Sequence, residues 1–167
     1  MQLDLRRTNG PSSFIACWKM IAINTKVPAY SRWFTKCHEF GHALHAHMNP
    51  EHFIRLQRKD AKRECEWPLR FVEQSAHYLA VAIGHLLDKP LDLDKWDQWM
   101  LDVMPPPLKE DLDNLVIRPG FTDPAVLAEL DRYEKFDFKS APWVNERALM
   151  DLRLSSALGT RVRGISL

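Results

Sequence analysis

The sequence lacks any long hydrophobic run: no stretch approaches the ~18 consecutive apolar residues that indicate a transmembrane helix. Residues 1–7 also lack the apolar core of a secretory signal peptide. Cysteine is scarce, and Cys17, Cys37 and Cys65 are too few and too widely spaced for a disulfide framework or a paired-cysteine metal site. These absences predict a cytoplasmic protein with reduced thiols and no membrane association.

A charge excess is missing as well, because 23 Lys and Arg residues stand against 22 Asp and Glu. Such a balance argues against nucleic-acid binding by the domain as a whole. One local cluster is basic, and we interpret it as a solvated helix face, with nucleic acid or an acidic partner as the alternative. Its members are Arg55, Arg58, Lys59, Lys62 and Arg63.

The segment of residues 36–47, KCHEFGHALHAH, contains an H-E-x-x-H motif formed by His38, Glu39 and His42. On a helix, residues four apart lie on one face, so both imidazoles can point at one position. Catalytic zinc sites use two such nitrogen ligands and a nearby carboxylate that accepts a proton from water. The alternative is a histidine-rich surface helix without metal. Gly41 has low helix propensity, which indicates the close approach of another backbone.

A catalytic zinc also needs a third protein ligand, and a second helix over residues 70–83 offers Glu73. Glu73 adjoins an apolar stripe at helical spacing, where a carboxylate is costly unless it is paired or bound to metal. The stripe consists of Val72, Ala76, Leu79, Ala80 and Ile83. Glu64 and Glu66 are weaker candidates because their segment is polar. His77 could be a supporting group or an alternative ligand, and we interpret it as a partly exposed helix residue.

These residues resemble the motifs of a known protein family. Residues 21–45 are similar to the "I-x-x-N … P … R-x-F-T-x-x-H-E-[FL]-G-H-x-L-x-H" run of the ImmA/IrrE family of zinc metallopeptidases, and residues 73–80 fit its "E-x-x-A-x-x-[FL]-A" helix. The resemblance covers residues 21–83. It implies that His38, His42 and Glu73 bind one zinc ion and that Glu39 is the catalytic base. Thimet-type oligopeptidases, with H-E-F-G-H and F-V-E, select the same four residues.

The expected fold is α+β: a mainly helical, zincin-like domain with a small N-terminal β-hairpin or sheet beside the motif helix. Residues 2–8 and 14–24 are predicted strands, separated by a turn signal, which suggests a hairpin. The resemblance further implies that residues 15–23 bind a peptide by edge pairing. Ser31 is the predicted N-cap of the motif helix, which should end near His47.

Three consecutive prolines, residues 105–107, mark the strongest predicted boundary. We expect a metallopeptidase core over residues 1–104 and a helical extension, packed on that core, over residues 105–167. Asp123 followed by Pro124 predicts one helix start in the extension, and a last helix is predicted over residues 143–157. No chemical motif is recognisable beyond residue 105.

The predicted function is zinc-dependent hydrolysis of a peptide bond in a protein or peptide substrate. The resemblance suggests a regulatory or repressor protein as the substrate, and the compact chain suits a phage or mobile element. Tyr78, His85 and Tyr133 are candidate donors to the tetrahedral intermediate. The alternatives are an inactive zincin-fold binding or inhibitor module and a thimet-oligopeptidase-like fragment. The sequence does not indicate an oligomeric state.

Overall fold

The structure, a computed structural model, describes residues 1–51, 53, 68–92 and 119–157. Within these ranges it has a small N-terminal sheet and a larger helical part, so the predicted mainly helical α+β class is confirmed. The strands are β1 (Asp4–Thr8), β2 (Ser13–Ile15) and β3 (Met20–Asn24), with a 3₁₀ turn at Ala16–Trp18. The helices are α1 (Ala29–Met48), α2 (Pro68–Leu86), α3 (Pro119–Thr122), α4 (Pro124–Lys135) and α5 (Glu146–Ala157).

The sheet has the order β1-β3-β2, with β1 parallel and β2 antiparallel to β3. The prediction of one long strand over residues 14–24 in a hairpin with residues 2–8 is therefore wrong. The chain reverses at Lys19, whose φ of 48° lies in the left-handed region, and β2 and β3 form on either side of this turn. The predicted first strand is confirmed as β1. It pairs with β3 in parallel, and the chain between these two strands passes through β2.

Strand β3 is buried on both faces, which explains its uninterrupted apolar sequence, MIAI. Ile21 and Ile23 face the main core, which also holds residues of α1, α2 and α4. Met20 and Ala22 face a second cluster that contains Leu149 of α5. The sheet is consequently held between the motif helix on one side and the last described helix on the other.

Helix α1 begins earlier than predicted. Pro28 is its N-cap, and Ser31 lies inside the first turn, where its hydroxyl donates to the Pro28 carbonyl at 3.1 Å. A proline at this position costs the helix no hydrogen bond, because the N–H of an N-cap residue has no partner within the helix. The helix ends at Met48, close to the predicted end. Met48, the last residue of the helix, is 43% exposed.

Helices α1 and α2 pack closely at Gly41, as the sequence predicted. A Cβ atom at Gly41 would lie 2.7 Å from the carbonyl oxygen of Ala76 and 3.3 Å from its Cα. A real side chain cannot approach a backbone so closely, so only glycine allows this separation of the helices. The close approach brings the fourth turn of α1 against the first half of α2, which is where Glu73 lies.

The described C-terminal residues pack on both faces of the N-terminal sheet. Tyr133 of α4 stacks near Phe40 of α1, with ring centroids 5.1 Å apart, and the buried Glu129 carboxylate accepts the Leu3 N–H at 2.9 Å. The start of α4 is confirmed, since the Asp123 side chain caps it through the Ala125 N–H at 2.8 Å. The last helix starts later than predicted, because Trp143 pairs with β1 as an isolated bridge instead.

Several predictions lie outside the described residues. They are the basic cluster at residues 55–63, the ligand candidates Glu64 and Glu66, and the boundary at residues 105–107. Cys65 lies there as well. Across the described part of the chain, no helix is both long and apolar enough to cross a membrane.

Candidate metal centre

Three ligand atoms from α1 and α2 converge on one position. The His38 Nε2 and His42 Nε2 atoms are 3.1 Å apart, and the Glu73 Oε2 atom lies 3.1 Å from the first and 3.6 Å from the second. Helical spacing places the two imidazoles on one face of α1. The close packing at Gly41 then sets the distance to the carboxylate on α2. The residues predicted to share a site therefore do lie together.

The separations match what one zinc ion requires. Ligand atoms bound tetrahedrally at ~2.0–2.1 Å lie ~3.3–3.4 Å from one another. The observed values, 3.1, 3.1 and 3.6 Å, scatter around this edge length. Two imidazoles and one carboxylate are also a ligand set that catalytic zinc uses. The donor chemistry and the spacing both fit zinc without any movement of the two helices.

Aromatic rings hold the two imidazoles in place. Phe34, one turn before His38, stacks on its ring with the centroids 5.7 Å apart and the planes at 29°. Phe53 presents its edge to His42 at 6.2 Å. The buried Nδ1 atoms of both histidines have no hydrogen-bond partner within the described ranges. Ring packing therefore orients these side chains on the Nδ1 side, where hydrogen bonds are absent among the described residues.

The Glu73 carboxylate is held as an anion by its two histidine neighbours. Burial alone would raise its pKa, but hydrogen bonds and positive charge from His38 and His42 outweigh burial and hold the pKa well below the usual range. The side chain is nevertheless 41% exposed, whereas those of His38 and His42 are only 13% and 10% exposed. The site is thus open to solvent on the Glu73 side.

Glu39 is buried beside this cluster without belonging to it. Only 5% of its surface is exposed. Burial raises its pKa to about 7 in the metal-free protein, and the positive charge of His38 opposes this shift. A carboxyl group with this pKa exchanges its proton near neutral pH, as a general base must.

This burial predicts a pH-dependent stability for the metal-free protein. The folded pKa of Glu39, about 7, lies above the ordinary value of 4.5. The contribution of Glu39 to the free energy of unfolding is therefore complete below about pH 4.5, and it is lost as the pH rises through about 7. Urea unfolding in the presence of a chelator should give a Glu39 contribution about 2–3 kcal/mol larger at about pH 5 than at about pH 8.

The Glu39→Gln variant is the control that isolates this group, since glutamine has a similar shape and no proton to lose. The difference between wild type and variant should carry the 2–3 kcal/mol dependence. Equal pH dependence in the two proteins would show that Glu39 is ionised to the same extent in the folded and unfolded chains.

His77 lies deeper than predicted. It is 4% exposed, so the interpretation as a partly exposed residue is wrong. Its Nδ1–H donates to the carbonyl oxygen of Glu73 at 2.6 Å, and its ring stands edge-on to His38 at 4.7 Å. Burial lowers its pKa, which favours the neutral ring. His77 therefore packs against the candidate ligand His38 and fixes the backbone of the candidate ligand Glu73.

The other histidines of the motif segment do not join the cluster. The ring of His45 is buried against Phe53, with centroids 5.3 Å apart, and the exposed His47 lies 3.5 Å from Asp123. Cys37, next to His38, is buried, which raises the pKa of its thiol far above neutrality and makes it a poor nucleophile.

Two of the three candidate donors to the tetrahedral intermediate are poorly placed for that role. Tyr133 is buried in the core, where its hydroxyl donates to the Lys36 carbonyl at 3.0 Å. His85 follows Glu73 by twelve residues, or about 18 Å along α2. Tyr78 remains a prediction.

Arg153 of α5 is a residue near the site that the sequence did not indicate. Its positive charge lowers the pKa of Glu39, and its guanidinium donates to the Ser12 carbonyl, just before β2, at 3.4 Å. No motif surrounds Arg153 in the sequence. Its position depends on the packing of α5 against the sheet, more than a hundred residues after Glu39.

Comparison with known protein families matches the first half of the chain. The family model described as "Peptidase_M78: IrrE N-terminal-like domain" matches residues 1–83. This range contains the sheet, all of α1 and most of α2, and hence all three ligand candidates and Glu39. Comparisons with curated proteins and with solved structures gave no match.

Proposed function

The chain belongs, through residues 1–83, to the Peptidase_M78 family of IrrE N-terminal-like domains, and we propose that it is a zinc-dependent endopeptidase. His38, His42 and Glu73 would hold the zinc ion, and Glu39 would act as general base. Family membership supports a metallopeptidase. The assignment of zinc and of the individual roles rests on the geometry of these four side chains.

One observation carries the proposal: a buried carboxylate, Glu39, lies next to three converging ligand atoms but is not one of them. Burying an ionisable group is costly, and the raised pKa of Glu39 expresses that cost. A purely structural metal site has no use for such a group. The combination therefore favours catalysis over the alternative of an inactive binding or inhibitor module.

The zinc ion and the protein residues would have separate roles in hydrolysis. When bound, zinc would polarise the scissile carbonyl and acidify a water molecule. Glu39 would take the proton of that water and pass it to the leaving amine. His77 would keep the backbone of Glu73 in place through its 2.6 Å hydrogen bond.

A substrate peptide would lie along β2. The predicted segment for edge pairing, residues 15–23, fits poorly, because β3 already pairs on both sides. The outer edge of β1 is also covered, since the Val144 N–H donates to the Arg7 carbonyl at 2.9 Å. The outer edge of β2 has no strand partner in the described part of the chain, and an extended peptide could add to it.

The substrate is proposed to be a protein, with a regulatory or repressor protein as the first candidate. A bound strand on β2 would need an extended, accessible segment, as in a flexible linker. A thimet-type oligopeptidase activity is the second candidate, and it would restrict cleavage to short peptides.

Chelation and metal restoration test the proposed function. The zinc-loaded protein should cleave an unfolded protein such as casein, and excess chelator should abolish cleavage because His38, His42 and Glu73 then hold no metal. Added zinc should restore it, while magnesium should not, because nitrogen ligands favour zinc. Cleavage of short peptides without cleavage of casein would select the oligopeptidase alternative. Cleavage that persists in chelator would refute the metallopeptidase assignment.

A further inference from the structure

A small cavity of about 110 Å³ lies at the start of α1, and none of its lining residues is a candidate metal ligand. It is enclosed by the end of β3, the first two turns of α1 and residues 136–139 after α4. Three of its lining side chains are cations, Arg32, Lys36 and Lys139, and one, Asp137, is an anion. The lining therefore carries two positive charges in excess.

Arg32 is fixed with an unused donor. One terminal nitrogen, Nη2, donates to the Val27 carbonyl at 3.1 Å, which anchors the guanidinium. The Nε atom is buried and has no hydrogen-bond partner among the described residues. Because Nε has almost no accessible surface, a ligand in the cavity would meet the guanidinium at its terminal nitrogens, of which only Nη2 has a hydrogen-bond partner among the described residues.

Lys36 and Lys139 are also short of acceptors. The Lys36 ammonium has three N–H donors and makes one hydrogen bond in the described structure, to the Glu134 carbonyl at 2.9 Å. Neither lysine, nor Arg32, forms an ion pair within 4.0 Å of a described carboxylate. The donors around the cavity thus outnumber the acceptors that the chain provides.

The loop that closes the cavity is held in shape by its own hydrogen bonds. The Asp137 Oδ1 atom accepts the Lys139 N–H at 3.0 Å, and the Ser140 hydroxyl donates to the Asp137 carbonyl at 2.8 Å. The Lys139 carbonyl in turn accepts from the Arg7 guanidinium. These hydrogen bonds hold the backbone at Lys139 in place. Its side chain lines the cavity together with the half-buried Arg32 and Lys36 of α1.

We propose that this cavity binds a phosphate group, as free phosphate or as the end group of a phosphomonoester. The excess of two positive charges matches a doubly charged phosphate, and its several oxygens can accept from the terminal nitrogens of Arg32 and from the Lys36 and Lys139 ammonium groups. A volume of about 110 Å³ admits the phosphate group and leaves a larger organic part outside. This site is independent of the proposed peptidase activity.

Calorimetric titration with inorganic phosphate at constant ionic strength tests the proposal, with O-phosphoserine as a second ligand. Both the zinc-loaded and the metal-free protein should bind phosphate saturably. Arg32→Gln and Lys139→Met should each weaken binding by about tenfold or more, because a hydrogen bond to a charged group is lost. Lys139 is exposed, so its replacement should leave the fold intact. Lys26→Met, which removes an exposed cation outside the cavity, should change the affinity little.

Comparison of the two ligands distinguishes a site for free phosphate from a site for a phosphomonoester. Binding of inorganic phosphate alone would indicate a free-ion site, and binding of both would indicate a phosphomonoester site. Three results would overturn the proposal: no saturable binding, equal binding by wild type and both cavity variants, or binding that requires zinc. The last would place the phosphate on the metal centre.

Discussion

Glu39→Gln is expected to lower the rate of peptide hydrolysis by about 10²–10⁴-fold while the protein keeps its zinc. Glutamine has nearly the same shape as glutamate but cannot accept a proton from water. Glu39 lies outside the set of converging ligand atoms, so metal binding should not depend on it. The expected loss is therefore in kcat, with little change in KM.

Three measurements decide this prediction: zinc content, kcat and the thermal midpoint of the same preparation. Glu51→Gln is the matched control, since it makes the same chemical change at an exposed position just after α1. It should leave all three quantities unchanged. If Glu39→Gln loses zinc together with activity, Glu39 supports the metal. If it keeps most of its activity, another group is the base.

His42→Ala is expected to abolish tight zinc binding, because it removes one of three ligands from a site with the spacing of a single ion. A ligand at about a thousand times its Kd stabilises a protein by about 4 kcal/mol. In a chain of this length, that corresponds to a rise of about 8–16 °C in Tm. Wild type should show this rise on addition of zinc, and the variant should show little or none.

The readout is the change in Tm with zinc, measured against each protein without metal. This choice matters because His42 is buried, and its truncation can lower the Tm of the metal-free protein by itself. His47→Ala is the control on the same helix, since His47 is exposed and lies beside Asp123. A variant at His42 that keeps the full zinc-induced shift, or one at His47 that loses it, would contradict the proposed ligand set.

The arrangement of the candidate base and ligands on α1 follows from local helix geometry. The spacing of His38, Glu39 and His42 is enough to place two imidazoles on one face and the carboxylate beside them. The same holds for the Asp123 cap of α4, where the side chain and the N–H it accepts are two residues apart. These features depend on neighbours in the chain, so a single sequence contains the information that they need.

The strand arrangement and the surroundings of the site needed tertiary contacts. The left-handed turn at Lys19 divides an apolar run that contains no glycine, so the sequence gives no signal that the chain reverses there. His77 is buried because Phe34 and His38 pack against its ring from another helix. Hydrophobic periodicity cannot assign such a residue, since it reports which face is apolar but not which neighbour covers it.

By itself, the sequence determined that two histidines share a face of one helix, that a glutamate lies beside them on the same turn, and that Gly41 marks a close approach. Only the tertiary structure decided what approaches: Ala76 of α2, at a separation that puts the Glu73 carboxylate 3.1 Å from His38. It also decided that Arg32, Lys36 and Lys139 surround one cavity. The physical reason is that helix periodicity is a property of a few consecutive residues, whereas a site between elements depends on packing that joins distant parts of the chain.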